Sequence, residues 1–320
     1  MITITQQMTS RRGVLALGAA LTAAGTLAAC NRGGGEEGGG GAGERVTLAV
    51  STQTNPFFVQ LVEGARAEAE AQGLTLDVQD ASDDSARQAD QVANAITQGS
   101  ALVIINPTDS DAVSTSVEAL NNADIPVIAV DRNATSGELA SYVASDNVAG
   151  GKQAAEALAA AIEESGNVIV LQGIPGSSAS RDRGQGFTEG IEQFSGITVV
   201  AQQTANFDRA EGLDVATNLL QANPDVVGIF CENDEMALGA IEALGDRAGS
   251  DVMVVGFDGT DEGIAAVSGG TMLATIAQQP EELGKQAVAE AVKVLAGEDV
   301  EDEVSVEVVT VDTENVGEYE

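Results

Sequence analysis

Histidine and tryptophan are both missing from the chain, and only two cysteines and two tyrosines occur among its 320 residues. Without histidine, neither a histidine-based catalytic triad nor a usual zinc site can be assembled. Two cysteines give no disulfide framework and no cysteine cage for a metal. One of them, Cys231, lies in the apolar run VVGIFC, where a small buried side chain is expected. Basic residues are also scarce: 14 Lys and Arg face 50 Asp and Glu, a net charge of −36. Phosphate neutralisation needs Lys and Arg, so nucleic acid is excluded as a partner. Regular apolar runs speak against disorder, the common state of strongly charged chains. A folded domain this acidic repels itself at low ionic strength, and the expectation is a protein that works in high salt, where screening relieves the repulsion.

The first 30 residues read as an address. TSRRGVLALGAALTAAGTLAAC has a basic front, an apolar stretch of signal-peptide length and small residues before Cys30. A membrane span fits less well, because Gly and Ala dominate a short run. LAAC, Leu27 to Cys30, resembles a lipobox, which makes Cys30 the expected lipidation site, and SRRGVL resembles a twin-arginine signal. The Gly-rich residues up to 45 read as a flexible tether, so 1–30 is signal and 31–45 tether.

From residue 46 onward short apolar runs alternate with amphipathic segments. Candidate strands are 46–52, 74–79, 101–105, 126–130, 141–144, 167–171, 197–202, 225–230, 251–255 and 272–277. Helical patterns such as FVQLVEGARAEAEAQ and AAEALAAAIEES lie between most of them. A final helix, ELGKQAVAEAVKVLAG, precedes the β-rich EVSVEVVTV. The alternation predicts parallel sheets flanked by helices, and about ten strands exceed one comfortable sheet, so two α/β lobes are expected.

Ligands of such folds bind beyond the carboxyl ends of the strands. After VTLAV come Asn55, Phe57 and Phe58. Asn106 follows ALVII, Asp131 and Arg132 follow PVIAV, Asn233 follows VVGIFC, Asp258 follows VMVVGF, and Gln278 follows MLATIA. Each alone reads as a helix cap or turn residue, and Asp234 and Asp109 are taken as such. Six strand ends offering Asn, Asp, Arg and Gln together describe a site. Their planar donors and acceptors match neighbouring hydroxyls, and phenyl rings match the C–H faces of a sugar. Nucleotide loops are missing: there is no GxGxxG and no GxxxxGK[ST], and AGGKQ at 149–153 lacks the spacing. DASDDSARQAD lacks the Gly and ligand spacing of a calcium loop, so no metal or cofactor is expected.

The stretches STQTNPFFV, INPTDSDAV, PVIAVDR, ASDNVAGG, LQGIPGSSASRDRGQGF, ANFDRAEGL, ENDEMALGA, DVMVVGFDGT and ATIAQQP resemble the ribose-binding receptors of bacterial sugar ABC transporters, across nearly all of 46–310. The resemblance implies a type I periplasmic-binding fold, two Rossmann-like lobes joined by a three-strand hinge. One lobe would hold 46–145 plus 279–307, the other 146–278 plus 308–320. It implies D-ribose in the cleft. Asn55, Phe57, Phe58, Asn106, Asp131 and Arg132 would contact it from the first lobe, Arg181, Phe207, Asn233 and Asp258 from the second, with Gln278 near the hinge. Departures are the acidic surface, the lipobox and Cys231-Glu232 before Asn233.

Expected partners are the sugar, the membrane permease of an ABC importer and, as a further candidate, a chemoreceptor. The protein would be a monomer facing the periplasm or cell exterior, held to the membrane only through its lipid. A sugar-responsive repressor shares the core but needs a basic helix-turn-helix where the signal stands. A glycosidase reading of Asp131 and Asp258 conflicts with the expectation that Arg132 and Arg181 keep both ionised. A receptor for another sugar, a hexose or a signalling furanose, is the nearest rival. The galactose type is set apart by its usual Trp and bound calcium.

Overall fold

The computed structural model describes residues 44–319; the signal segment, Cys30 and nearly all of the tether lie outside them. The first half runs β1 (Arg45–Val50), α1 (Pro56–Ala71), β2 (Thr75–Asp80), α2 (Ser85–Thr97), β3 (Leu102–Ile105), α3 (Ser114–Asn122), β4 (Val127–Val130) and β5 (Ser141–Ser145). There follow α4 (Asn147–Ala161), β6 (Ser165–Gln172), α5 (Ser178–Ile191), β7 (Gly196–Thr204), α6 (Arg209–Ala222), β8 (Val226–Cys231), α7 (Asp234–Leu244), β9 (Met253–Asp258), α8 (Asp261–Ser268) and β10 (Ala274–Ala277). The chain closes with α9 (Pro280–Ala296), β11 (Glu303–Val306) and β12 (Val309–Asp312).

The strands form two six-stranded sheets, in the order β11-β5-β4-β3-β1-β2 and β12-β10-β9-β8-β6-β7. Every neighbour in the first sheet is parallel, and only the β10–β12 pair of the second is antiparallel. Helices cover both faces, so central strands such as LVII of β3 and VIAV of β4 are buried along their whole length. The β-rich tail expected after the last helix divides: β11 joins the first sheet and β12 the second. β7 runs two residues past its expected end, through Gln203 and Thr204, which are polar and lie on an outer strand. No apolar run marks them.

Three crossings link the lobes: β5 into α4, β10 into α9, and β11 into β12. α9 returns to the first lobe and packs on α1, while α4 packs on α5 and β9 of the second. Gln279 Nε2 donates to Glu307 O at 3.0 Å, tying two crossings together. Loops after the carboxyl ends of both sheets are thereby turned towards each other.

Candidate functional site

Those loops line a small cavity between the lobes. The first lobe lines it with Asn55, Phe57, Phe58, Asp131 and Arg132, the second with Ala179, Arg183, Phe207, Asn233 and Asp258, and Gln278 comes from a crossing.

Asn55-Pro56 is a helix start: the Asn55 side chain accepts from Phe57 N at 2.9 Å, and Pro56 holds the first helical position. Its oxygen thus caps α1, and its amide nitrogen remains for a ligand. Phe57 and Phe58 follow, edge to face at 5.1 Å. Both are buried in the first lobe's core and both line the cavity. They serve as core and as apolar wall at once. Asn233 caps α7 in the same way, accepting from Met236 N, while its Nδ2 donates to Phe207 O at 3.2 Å.

Two expectations are corrected by position. Arg181 does not reach the cavity. It is exposed, and its Nη1 donates to Gly176 O. Arg183 takes the place foreseen for it, because residues two apart on a helix point to nearly opposite sides. The helical spacing of Ala179, Arg183 and Phe187 is the signal that marks Arg183 as inward-facing. Asn106 stands behind the cavity. Its Oδ1 accepts from Ser51 N, and its Nδ2 donates to Val130 O and to Asp131 Oδ2 at 3.0 Å, so its groups are committed to holding Asp131. Asp234 does more than cap or turn. Buried, it accepts from Thr275 and from both N and Oγ1 of Thr260, fixing the loop that carries Asp258.

Charge in the cavity is paired and stacked. Arg132 lies 3.6 Å from Asp131, and its guanidinium sits between the rings of Phe58 and Phe207, at 5.2 and 5.5 Å. Arg183 stacks on Phe257 at 3.9 Å, donates to Asn147 Oδ1 and Glu232 O, and lies 3.4 Å from Asp258. Gln278 Nε2 donates to the same Asp258 oxygen at 2.7 Å. Arg132 Nε and Gln278 Oε1 are buried with no hydrogen-bond partner. A buried donor and a buried acceptor left unpaired are costly, and a hydroxyl placed between the lobes would satisfy either. Asp131, Phe207 and Asp258 all have positive φ, at 65°, 60° and 120°. Backbone strain of this kind gathers where side chains must be aimed.

Both carboxyl groups are raised above their ordinary range, and for Asp258 this runs against the expectation that it stays ionised. Burial raises Asp131, with Arg132 and Arg183 pulling the other way. Burial pushes Asp258 up to about 8 against the pull of Arg183.

Glu232 and Asp234, buried inside the second lobe, are likewise pushed up by burial to about 7 and about 6. A folded-state value above the unfolded one means stability that is full below the unfolded pKa and lost as pH rises through the folded one. The thermal midpoint of the ligand-free protein should rise as pH falls from about 8 towards 5, and at fixed pH it should rise with salt as the acidic surface is screened. Midpoints flat across a pH and salt grid would contradict both.

The chain matches the periplasmic binding protein domain over residues 46–299. It is 49% identical over 260 residues to the ribose import binding protein RbsB of Escherichia coli (strain K12), covering 81% of this chain and 88% of that one. The RbsB of Bacillus subtilis (strain 168) is 44% identical, with 81% and 84% covered. Among solved structures, a periplasmic solute binding protein of an ABC transporter from Actinobacillus succinogenes 130z, with bound D-allose, superposes with a TM-score of 0.81 at 33% identity, covering 86% of this chain and 99% of that one.

Proposed function

Because the chain belongs to the periplasmic binding proteins, we propose that it captures D-ribose between its lobes and delivers it to the membrane permease of an ABC importer. The observation that carries this is the division of the cavity's polar groups. Asp131 and Arg132 stand on one lobe, Arg183, Asn233 and Asp258 on the other, with phenyl rings from both. Neither lobe alone pairs all the hydroxyls of a pentose, so the sugar favours the closed arrangement over the open one. The identity to two ribose import binding proteins supports ribose among the sugars. The D-allose in a structural neighbour keeps a hexose as the second reading. Calorimetry with ribose, allose, glucose and galactose should give the tightest binding with ribose; equal affinity for the hexoses would remove that assignment. Binding without turnover is the expected role, and the sugar should be recovered unchanged.

Cys30, outside the described residues, is the proposed lipid anchor, and the tether after it would hold a monomeric receptor at the outer face of the membrane. A chemoreceptor that reads the closed form is a further proposed partner. No helix among the described residues is long and apolar enough to cross a membrane. Replacing Cys30 with alanine should release the protein from the membrane or leave it unprocessed, with sugar binding intact. Unchanged membrane association in cell fractions would refute the anchor.

A further inference from the structure

Glu232 is fully buried and does not line the cavity. Its Oε2 accepts from Gly173 N at 2.7 Å and from Ser180 Oγ, and its Oε1 has no hydrogen-bond partner. A buried carboxyl costs free energy that an apolar side chain would not, so what it holds matters. Gly173 is the surface on which Phe207 rests: a Cβ built there would lie 2.1 Å from the ring. Ser180 is one helical turn before Arg183, whose Nη1 is anchored on the carbonyl of Glu232 itself at 2.7 Å. Asn233 is the next residue in the chain. The carboxyl thus holds the Gly173 surface under Phe207 and the turn of α5 that leads to Arg183, while Arg183 and Asn233 are tied to residue 232 through its backbone.

We propose that Glu232 is a positioning residue that sets sugar affinity without touching the sugar. The proposal rests on the sugar-binding reading of the cavity. Its reach is specific: the carboxylate clamps the loop after β6 to the start of α5, and both segments face the ligand. Calorimetry with D-ribose on Glu232→Ala should show a loss of roughly 10- to 100-fold, because two donors lose their acceptor and the wall relaxes. Glu232→Gln should stay within about threefold of wild type, since its amide oxygen still accepts from Gly173 and Ser180. In a double-mutant cycle with Phe207→Ala, the combined loss should fall well short of the product of the two, because both act through one wall. A role in stability alone would lower the thermal midpoint and leave the cycle multiplicative. A folded Glu232→Ala protein with wild-type affinity, or a multiplicative cycle, overturns the proposal. If that variant does not fold, Ser180→Ala decides: about three- to tenfold weaker binding supports it and unchanged binding overturns it. A wild-type protein that ignores ribose sinks the ligand reading alone, and the same ratios, read with the monosaccharide it does bind, then decide Glu232.

Discussion

Replacing Arg183 with methionine should weaken ribose binding by roughly 100- to 1000-fold, about 3–4 kcal/mol, whereas the same change at Arg181 should leave it within about twofold. Arg183 is buried, and its removal takes away the cation beside Asp258, the donor to Asn147 and the stack on Phe257 together. Asp258 would then be a buried carboxyl held only by Gln278 Nε2, and charging it would cost more than it already does. Arg181 loses one exposed hydrogen bond to Gly176 O. Lysine at 183 should fall in between, because it keeps the charge and loses the planar fork. Titration calorimetry on the three variants, each checked for a wild-type thermal transition, measures this. Equal losses at 181 and 183 would mean that the cavity geometry described above is not the binding geometry.

That pair of arginines also marks where the sequence is informative and where it is not. Strand positions follow from apolar runs, because buried parallel strands must be apolar on both faces, and β3 and β4 are plain on that ground. Strand ends are where ligands sit, and ten of the eleven residues expected at the site do lie in or directly behind the cavity. SRDRG, however, offers two arginines two residues apart. Only the helix phase separates them, and it depends on Ala179 and Phe187 facing inward. Asn106 shows a different limit. Its position after β3 is legible, but whether its amide meets the sugar or Asp131 depends on Ser51 and Val130, which are distant in sequence. Glu232 is hidden for the same reason. Nothing in CEND says that a carboxylate there will accept from Gly173, 59 positions earlier. The double role of Phe57 and Phe58 belongs between these cases: wall and core are the same side chains seen from two sides.

Valine at Gly176 should hold the lobes apart. In the closed arrangement Ser110 N of the first lobe donates to Gly176 O at 2.9 Å, Ser178 N donates to Ser110 Oγ at 3.2 Å, and Asn133 N donates to Ser178 Oγ at 2.8 Å. These bonds join the loops after β3 and β4 to the loop after β6 and the first residue of α5, and β6 lies far along its sheet from β10 and β12, next to the crossings. Hinge opening must break them. A Cβ at 176 would lie 1.9 Å from Asp109 Oδ2 across this seam. That carboxylate is not free to swing away, since its Oδ1 accepts from Asp111 N and Ala112 N. Overpacking of this kind costs about 1–3 kcal/mol, and because it falls only on the closed form it should lower ribose affinity roughly 5- to 150-fold. In the open form the two loops are parted and the added methyls meet only solvent, so the thermal midpoint without sugar should be unchanged. Small-angle scattering should show the wild-type protein contracting with saturating ribose and the valine variant contracting less. Adding Asp109→Ala should restore part of both the contraction and the affinity by making room. If the valine variant binds ribose as tightly as wild type and contracts as far, closure of the lobes along this seam is not what retains the sugar.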